Sequence, residues 1–345
     1  MNSALEHPHR GGTSRRYLVT GGSGFVGTNL IERLISAHPD AAILSLDPSR
    51  PKIREHERFW TALDIRDGAA VSRAFTDFAP TDVVHLGART DLEGRRVADY
   101  DSNTDGTMAI ISASNKSKTA TRVIYASSRL VCRIGYQPTA DDDYCPPNAY
   151  GASKVEGELL VRRLATKTWT ILRPTSIWGP WFGVPYRDFF DTVLQGRYVH
   201  VAKGPLMKSF GYVGNSVYQI LRILEAPEKS VVERTLYLGD YPPIEVGAFA
   251  DTIRQMSGVD PVIRVPEGFV RVAARVGDLL GGLGWSRVPL TTFRLNNLLT
   301  PMVYDLSALE SVVGPLPYSA DEGIHQTLDW LASRRSATTD QLTGS

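Results

Sequence analysis

Tyr150 and Lys154 stand one helical turn apart in the run YGASK, so on a helix both side chains project from the same face. A phenol ionises near pH ~10 and is a poor base at neutral pH unless a neighbouring cation favours its phenolate. The Lys154 ammonium can be that cation. A third partner is offered by Ser127-Ser128, whose hydroxyl can orient a substrate alcohol or carbonyl. Ser128 is the first choice for this role and Ser127 the reserve. Taken alone, a Tyr-Lys pair is a common accident, and the serines are better explained as turn or helix-cap residues.

A second constellation lies near the start of the chain, in TGGSGFVG (Thr20 to Gly27). Gly22, Gly24 and Gly27 satisfy G-x-G-x-x-G, and Gly21, Gly24 and Gly27 satisfy a looser G-x-x-G-x-x-G. Either pattern alone is weak; its setting between a β-prone run and a helical pattern strengthens it. There the missing Cβ atoms let the backbone from Gly21 through Ser23, Gly24, Phe25, Val26 and Gly27, with the positive helix terminus, approach a pyrophosphate. Asp47 ends the next strand candidate, where its carboxylate can accept from a ribose diol and repel a 2′-phosphate. This favours NAD over NADP, and nearby Arg50 softens the preference. A bound oxidised nicotinamide would add positive charge beside Tyr150, and Lys154 could hydrogen-bond its ribose. Asp64-Ile65 either meets an adenine edge or belongs to an exposed loop. Leu86, Gly87 and Ala88 end another strand with small residues that let a bulky ligand pass.

The elements needed to position these groups are legible. Apolar runs at Tyr17 to Thr20, Ala42 to Leu46, Val83 to Leu86, Val123 to Ala126 and Thr170 to Leu172 read as strands, with helix-length segments between them. Little polar alternation within the strands implies a parallel sheet covered on both faces. The fold class expected is α/β: a doubly wound parallel sheet (Rossmann) over 16–175, with a smaller, interleaved substrate domain from 176–204 and 251–335. Returns to the sheet are expected within 205–250, at Phe210 to Val213 and Thr235 to Leu238. Residues 1–15 read as a disordered leader and 336–345 as a disordered tail. Helices are expected over Ile244 to Met256, Val270 to Leu283 and Ser319 to Leu331.

Composition narrows the function. The 345 residues are 42% hydrophobic and 22% charged, and 38 Lys plus Arg against 37 Asp plus Glu leave a net charge of +1. That is a globular make-up with no overall field to hold nucleic acid. The two cysteines, Cys132 and Cys145, are too few for a zinc cluster or disulfide framework, so no metal site is expected and a cytoplasmic setting fits. The most apolar late stretch, Phe269 to Trp285, is interrupted by Arg271, Arg275 and Asp278, so no membrane-spanning helix is expected and no membrane partner.

Taken together, these motifs resemble the extended short-chain dehydrogenase/reductase family, of the NAD-dependent epimerase/dehydratase type. The likeness runs from TGGSGFVG through Asp64-Ile65, VVHLGA, NTDGT (Asn103 to Thr107), ASS (Ala126 to Ser128), YGASK and LRPTSIWGP (Leu172 to Pro180) to DLSALE (Asp305 to Glu310). The resemblance implies that Ser128, Tyr150 and Lys154 form a catalytic triad and that Asn103 is an active-site scaffold residue. It also implies that Ala126 and the segment Arg173, Pro174, Thr175 pass close to the nicotinamide. Ser127, Ser128, Ser176 and Lys208 are then expected on the substrate side. Family dehydratases carry an adjacent Asp-Glu pair after the serine position; here Arg129-Leu130 follows Ser128, which disfavours that reaction. Ser176 stands where many nucleotide-sugar enzymes have Asn, and Lys208 where they have Arg; Lys208 keeps the charge but loses the bidentate fork. The segment Arg275 to Asp278 imitates a substrate-domain motif of the sugar epimerases but reads as part of an amphipathic helix.

The expected activity is NAD-dependent epimerisation of a nucleotide sugar through a transient keto intermediate. Its rivals are a net dehydrogenase or ketoreductase of a nucleotide sugar or a hydroxysteroid-like lipophilic alcohol, and a non-catalytic dinucleotide-binding scaffold. The resemblance further implies a homodimer, paired through helices near Asn103 to Ser114 and Tyr150 to Leu164.

Overall fold

The computed structural model describes residues 15–343 except 203, 260–262, 283–284 and 286–290. The expected leader, apart from Arg15, lies outside the described residues. The first strands and helices alternate: β1 (Arg16–Thr20), α1 (Phe25–Ala37), β2 (Ala42–Leu46), β3 (Trp60–Thr61), α2 (Gly68–Phe78), β4 (Asp82–His85), α3 (Asp101–Lys116), β5 (Arg122–Ala126), α4 (Ala149–Leu164) and β6 (Thr168–Pro174). After these come β7 (Ser176–Trp178), α5 (Tyr186–Leu194), β8 (Val199–Ala202), β9 (Met207–Lys208), β10 (Phe210–Tyr212), α6 (Val213–Glu225) and β11 (Arg234–Leu238). The chain continues through β12 (Ile244–Glu245), α7 (Val246–Ser257), β13 (Ile263–Pro266), α8 (Glu267–Gly282), α9 (Thr292–Leu299), α10 (Ser307–Val313) and α11 (Ala320–Thr343).

The central sheet has seven strands in the order β11-β6-β5-β4-β1-β2-β3, all pairings parallel. Successive residues in its strands face opposite layers. Leu18, Val83, Val123 and Ile171 enter one core with Ile110 and Val161 of the α3/α4 side, whereas Val19, Val84, Ile124 and Leu172 enter the other with Leu30, Leu34 and Ile220 of the α1/α6 side. Both neighbours in each pair are apolar, which is why these strands read as unbroken hydrophobic runs. From β1 the chain steps one way to β2 and the other way to β4, so a crevice opens beyond the carboxyl ends of β1 and β4, where doubly wound sheets take their ligands.

Of the two expected returns to this sheet, only the later one joins it, as β11 beside β6. The segment expected at Phe210 to Val213 forms β10, which pairs with β7 in a sheet of its own. Its place is fixed by Asp240, buried just past β11, which accepts from the Tyr212 amide (2.9 Å) and the Asn215 side chain (3.0 Å). The remaining short pairs, β8 with β13 and β9 with β12, build the smaller lobe.

Trp178, Phe190, Phe210 and Phe249 pack together in that lobe, Trp178 and Phe249 with ring centroids 5.0 Å apart. Much of the aromatic run after Pro174 is therefore core rather than ligand surface. The expected helix from Ile244 begins only at Val246, because Ile244 and Glu245 first pair with β9. Over the stretch expected as a disordered tail, helix α11 continues through Ser333 to Thr343, and 344–345 lie outside the described residues. No proline or glycine interrupts the chain before Gly344, so nothing ends the helix where its polar composition suggested it would.

Candidate active site

The glycine-rich turn joins β1 to α1 by backbone contact. Gly21 lies in the left-handed region at φ +72°, and a Cβ there would come within 2.8 Å of the Gly87 nitrogen. At Gly27 a Cβ would fall 2.7 Å from Gly22 Cα and closer still to the Gly21 carbonyl oxygen. Gly24 is the N-cap of α1, with no side-chain cap and no acid in the first turn. The opening amides of α1 therefore have no carboxylate competing for them, the arrangement that receives a phosphate.

Asp47, just past β2, is buried and accepts from the Ser23 amide (3.1 Å) and the Ser49 amide (2.9 Å). Ser23 also donates through its hydroxyl to the Ser49 carbonyl (2.7 Å), tying the glycine turn to the loop after β2. Arg50 is exposed, 3.7 Å from Glu57. Asp64 is gripped by the Arg66 fork, whose hydrogen bonds hold its carboxyl below the usual range, and Arg66 also reaches Asp101 at 2.9 Å.

Across the crevice, the Asn148 side chain caps α4 by accepting from the Gly151 amide (2.8 Å), and α4 presents Tyr150 and Lys154. The Lys154 amine, buried, donates to the Ala126 carbonyl at the end of β5 (2.9 Å). Burial pushes it down to about 8 while Glu158 opposes the shift. Tyr150 is buried too, and burial raises its phenol above the ordinary value; the hydrogen bond with Ser128 and the charge of Arg129 are the largest effects pulling it back. Arg129 is thus a second cation beside this phenol, in addition to the expected Lys154. The Ser128 hydroxyl also accepts from the Leu130 amide (3.1 Å), capping the single turn Arg129–Val131.

One cleft of about 910 Å³ is lined by both halves. On its cofactor side are Gly21, Gly24, Phe25, Val26, Gly27 and Asp47, followed by Asp64, Ile65, Leu86, Gly87 and Ala88. Ala126, Ser127, Ser128, Tyr150, Lys154, Pro174 and Thr175 line the remainder, with Phe182, Val184 and Tyr186 from the segment entering α5.

Five expected site residues do not line it. Ser23 braces Asp47, as described above. Asn103 accepts from the Arg89 amide (2.8 Å) and donates to the Arg89 carbonyl and the Ser153 hydroxyl (both 3.0 Å), holding the loop after β4 against α4. Ser176 is buried in β7 opposite Phe210, and Lys208 is buried in β9 opposite Ile244.

Of the segment Arg173 to Thr175, only Pro174 and Thr175 line the cleft. The Arg173 guanidinium, fully buried, donates to Glu158 at 2.9 and 2.7 Å and to the Asp141 carbonyl at 2.5 Å, away from the cleft. A strand alternates its side chains, so while its neighbours Leu172 and Pro174 reach the cleft, Arg173 faces the opposite way. Ser127, the reserve for substrate, lines the cleft but donates its hydroxyl to Glu158 at 2.5 Å.

Glu158 is the residue sequence reasoning passed over. It also accepts from Tyr144 (2.9 Å) and so joins β5, β6, α4 and the loop before α4. The signal was present: Glu158 follows Lys154 by the same interval at which Lys154 follows Tyr150, continuing one row along α4. Arg66 and Ser102, also on the cleft wall, carried no comparable pattern.

The chain is similar to several known proteins. It is 25% identical over 327 residues to the N-acetyl-alpha-D-glucosaminyl-diphospho-ditrans,octacis-undecaprenol 4-epimerase of Escherichia coli O157:H7, covering 91% of this chain and 94% of that protein. To the 3-beta-hydroxysteroid dehydrogenase of Mycolicibacterium neoaurum it is 27% identical over 276 residues, 75% of each chain. Among solved structures, UDP-glucose 4-epimerase of Thermotoga maritima, crystallised with UDP-glucose, superposes with a TM-score of 0.70 at 20% identity, over 92% of this chain and 99% of that one. UDP-glucuronic acid 4-epimerase of Bacillus cereus, in complex with NAD, gives 0.71 at 17% identity, over 91% and 96%. At these identities the structures establish the likeness of fold. The profile of the NAD dependent epimerase/dehydratase family matches residues 17–239, from β1 to just past β11, the span that carries the glycine turn, Asp47, Ser128, Tyr150 and Lys154. The chain belongs to that family.

Proposed function

We propose that this chain is an NAD-dependent epimerase acting on a secondary alcohol of a nucleotide sugar. The observation that carries the reading is the shared cleft, in which the Tyr150, Ser128 and Lys154 cluster opens onto the same space as the glycine turn and Asp47. These residues fit a dinucleotide. The α1 amides suit its pyrophosphate, the Asp47 carboxylate a ribose diol, and backbone packing at Gly21 and Gly27 leaves no side chain in the way.

Bound NAD supplies a hydride acceptor that can return what it took. Ser128 holds the reacting oxygen, and Tyr150 takes its proton and gives it back. Arg129 favours the phenolate that this exchange requires, and Lys154, anchored on the Ala126 carbonyl, orients the ribose at the nicotinamide end. In place of the acidic pair of a dehydratase stands the cation Arg129, which has no proton to offer a departing hydroxyl near neutral pH.

A second reading, net oxidation of a lipophilic alcohol, is supported by the apolar side chains Phe182, Val184 and Ile177 on the cleft wall and by the hydroxysteroid dehydrogenase relative. We place the chain in the cytoplasm as a homodimer. Met108 on α3 and Leu159 on α4 are 36% and 49% exposed on two helices that pack together, which supports pairing through that face.

The test is a set of UDP-sugars incubated with catalytic NAD, with products identified by NMR and absorbance of reduced cofactor followed in parallel. Isomer interconversion without net cofactor reduction is expected, and Tyr150→Phe should lower turnover by about 10²-fold or more with NAD affinity unchanged. Stoichiometric reduction of NAD would select the second reading, and full activity in Tyr150→Phe would remove the mechanism.

A further inference from the structure

Helix α8 carries two apolar faces, and only one of them is covered. Ala274 is buried with Val201 of β8 and Leu295 of α9, and Val270 packs against the same cluster. On the other side Phe269, Val272, Val276 and Leu279 are 72%, 60%, 52% and 66% exposed. Their spacing of three and four residues lines them up as one stripe along the helix. Trp285, just beyond the helix, is 65% exposed. Single exposed apolar residues need no explanation, but a continuous stripe of this kind marks a contact surface.

The charge around the stripe selects the occupant. Arg275 and Arg271 lie on α8 with it, Arg271 paired with Glu267 at 2.5 Å, and Arg264 in β13 is 68% exposed and 3.5 Å from Asp251. In sequence, residues 264–294 contain Arg264, Arg271, Arg275, Arg287 and Arg294 against Glu267 and Asp278, an excess of positive charge in a chain of net charge +1. A second copy on this face would bring arginines against arginines. An anionic lipid surface accepts every feature: the stripe sinks to the acyl boundary, the indole sits at the interface, and guanidinium groups meet lipid phosphates. At 16 residues α8 is about 24 Å long. With its charged residues it is not built to span, and among the described residues no helix is long and apolar enough to cross a membrane.

We propose that α8 is an interfacial helix that docks this protein, lying in the plane of the surface, on a bilayer containing anionic phospholipid. This revises the expectation of no membrane partner: the sequence excludes a span, and a surface helix is a different object. The proposal does not depend on the substrate assigned above.

The test is flotation of the full chain with vesicles of phosphatidylcholine, with and without phosphatidylglycerol. The unmodified protein should float with the phosphatidylglycerol vesicles and less with phosphatidylcholine alone, and added salt should weaken the binding. The triple variant Phe269→Ser, Val276→Ser, Leu279→Ser changes only exposed positions and should lose about a hundredfold in partitioning, with NAD binding and thermal unfolding unchanged. Arg264→Gln with Arg275→Gln should abolish the preference for phosphatidylglycerol. The proposal is overturned if the unmodified protein fails to float with either vesicle, or if the triple variant floats equally well. It is also overturned if the triple variant converts a larger assembly into a smaller one on size exclusion, which would make the stripe a protein–protein interface.

Discussion

Adding one methyl group at Gly27 should separate cofactor binding from folding. In Gly27→Ala the new carbon would stand 2.7 Å from Gly22 Cα and 2.9 Å from the Gly21 carbonyl carbon. Carbon atoms prefer about 3.5 Å or more, and the Gly21 carbonyl oxygen stands closer still, so α1 must retreat from the turn by at least about 0.8 Å. The obstructing atoms are backbone, and no rotamer change relieves the clash. Overpacking of this kind costs about 1–3 kcal/mol of stability. The larger effect falls on NAD, because the amides opening α1 move with the helix while the turn stays fixed between β1 and Gly87. Losing one hydrogen bond to a charged phosphate costs about 1.5–3 kcal/mol, which weakens binding roughly tenfold to a hundredfold. Isothermal titration of NAD measures that loss directly, and urea unfolding measures the stability term. The control is Gly68→Ala at the start of α2, where the added carbon meets only Ala109 Cβ at 3.8 Å; it should leave NAD affinity unchanged and gain about 0.4–1 kcal/mol. If Gly27→Ala bound NAD within twofold of the parent, the glycine cradle would not be where the pyrophosphate rests.

Two further outcomes follow from the same geometry. Ser128→Ala should lower kcat by about 10²-fold. Ser127→Ala should leave kcat within a few-fold while costing about 1–2 kcal/mol in urea, because its hydroxyl serves Glu158; the reverse pattern would exchange the two roles. Lys154 and Lys208 are each pushed down to about 8 by burial. Above about pH 8 the folded chain has therefore released protons that the unfolded chain retains up to about 10.5. Stability should rise with pH from this source, by up to about 1.4 kcal/mol per pH unit for each lysine. The Cys132 thiol, raised from 9.0, begins to oppose the trend above about that pH. Urea midpoints at pH 7 and pH 9 check this, and a flat or falling midpoint refutes the burial of both amines.

The sheet was legible because its strands are buried on both faces and so carry their identity in short apolar runs; β2 spans the same residues as its sequence reading. The glycine turn, Asp47 and the Tyr150–Lys154 row were legible for a related reason, since each depends on local spacing. What depends on long-range pairing was not. Whether Phe210 joined the main sheet was decided by Asp240, far along the chain. Whether Arg173 faced a ligand or a carboxylate was decided by the parity of β6 and by Glu158 on another element. The nearness of Arg129 to Tyr150 was similarly non-local, since that cation is delivered by a turn after β5.

The knot around Glu158 makes the two sides of the cleft mechanically unequal. Ser127, Tyr144 and Arg173 all converge on one carboxylate whose side chain is 1% exposed, and Arg173 extends the linkage to Asp141. Swinging the 141–144 segment outward would leave the Arg173–Glu158 pair intact but break the bonds of Arg173 to the Asp141 carbonyl and of Tyr144 to Glu158, hydrogen bonds to charged groups worth about 1.5–3 kcal/mol each. That flank behaves as an anvil. Opposite it, a Cβ at Gly183 would meet nothing within 4 Å, and Val184 is 78% exposed. Gly183 and Val184 are accordingly the lightly braced stretch of the cleft wall, between Phe182, which is held in the core, and α5.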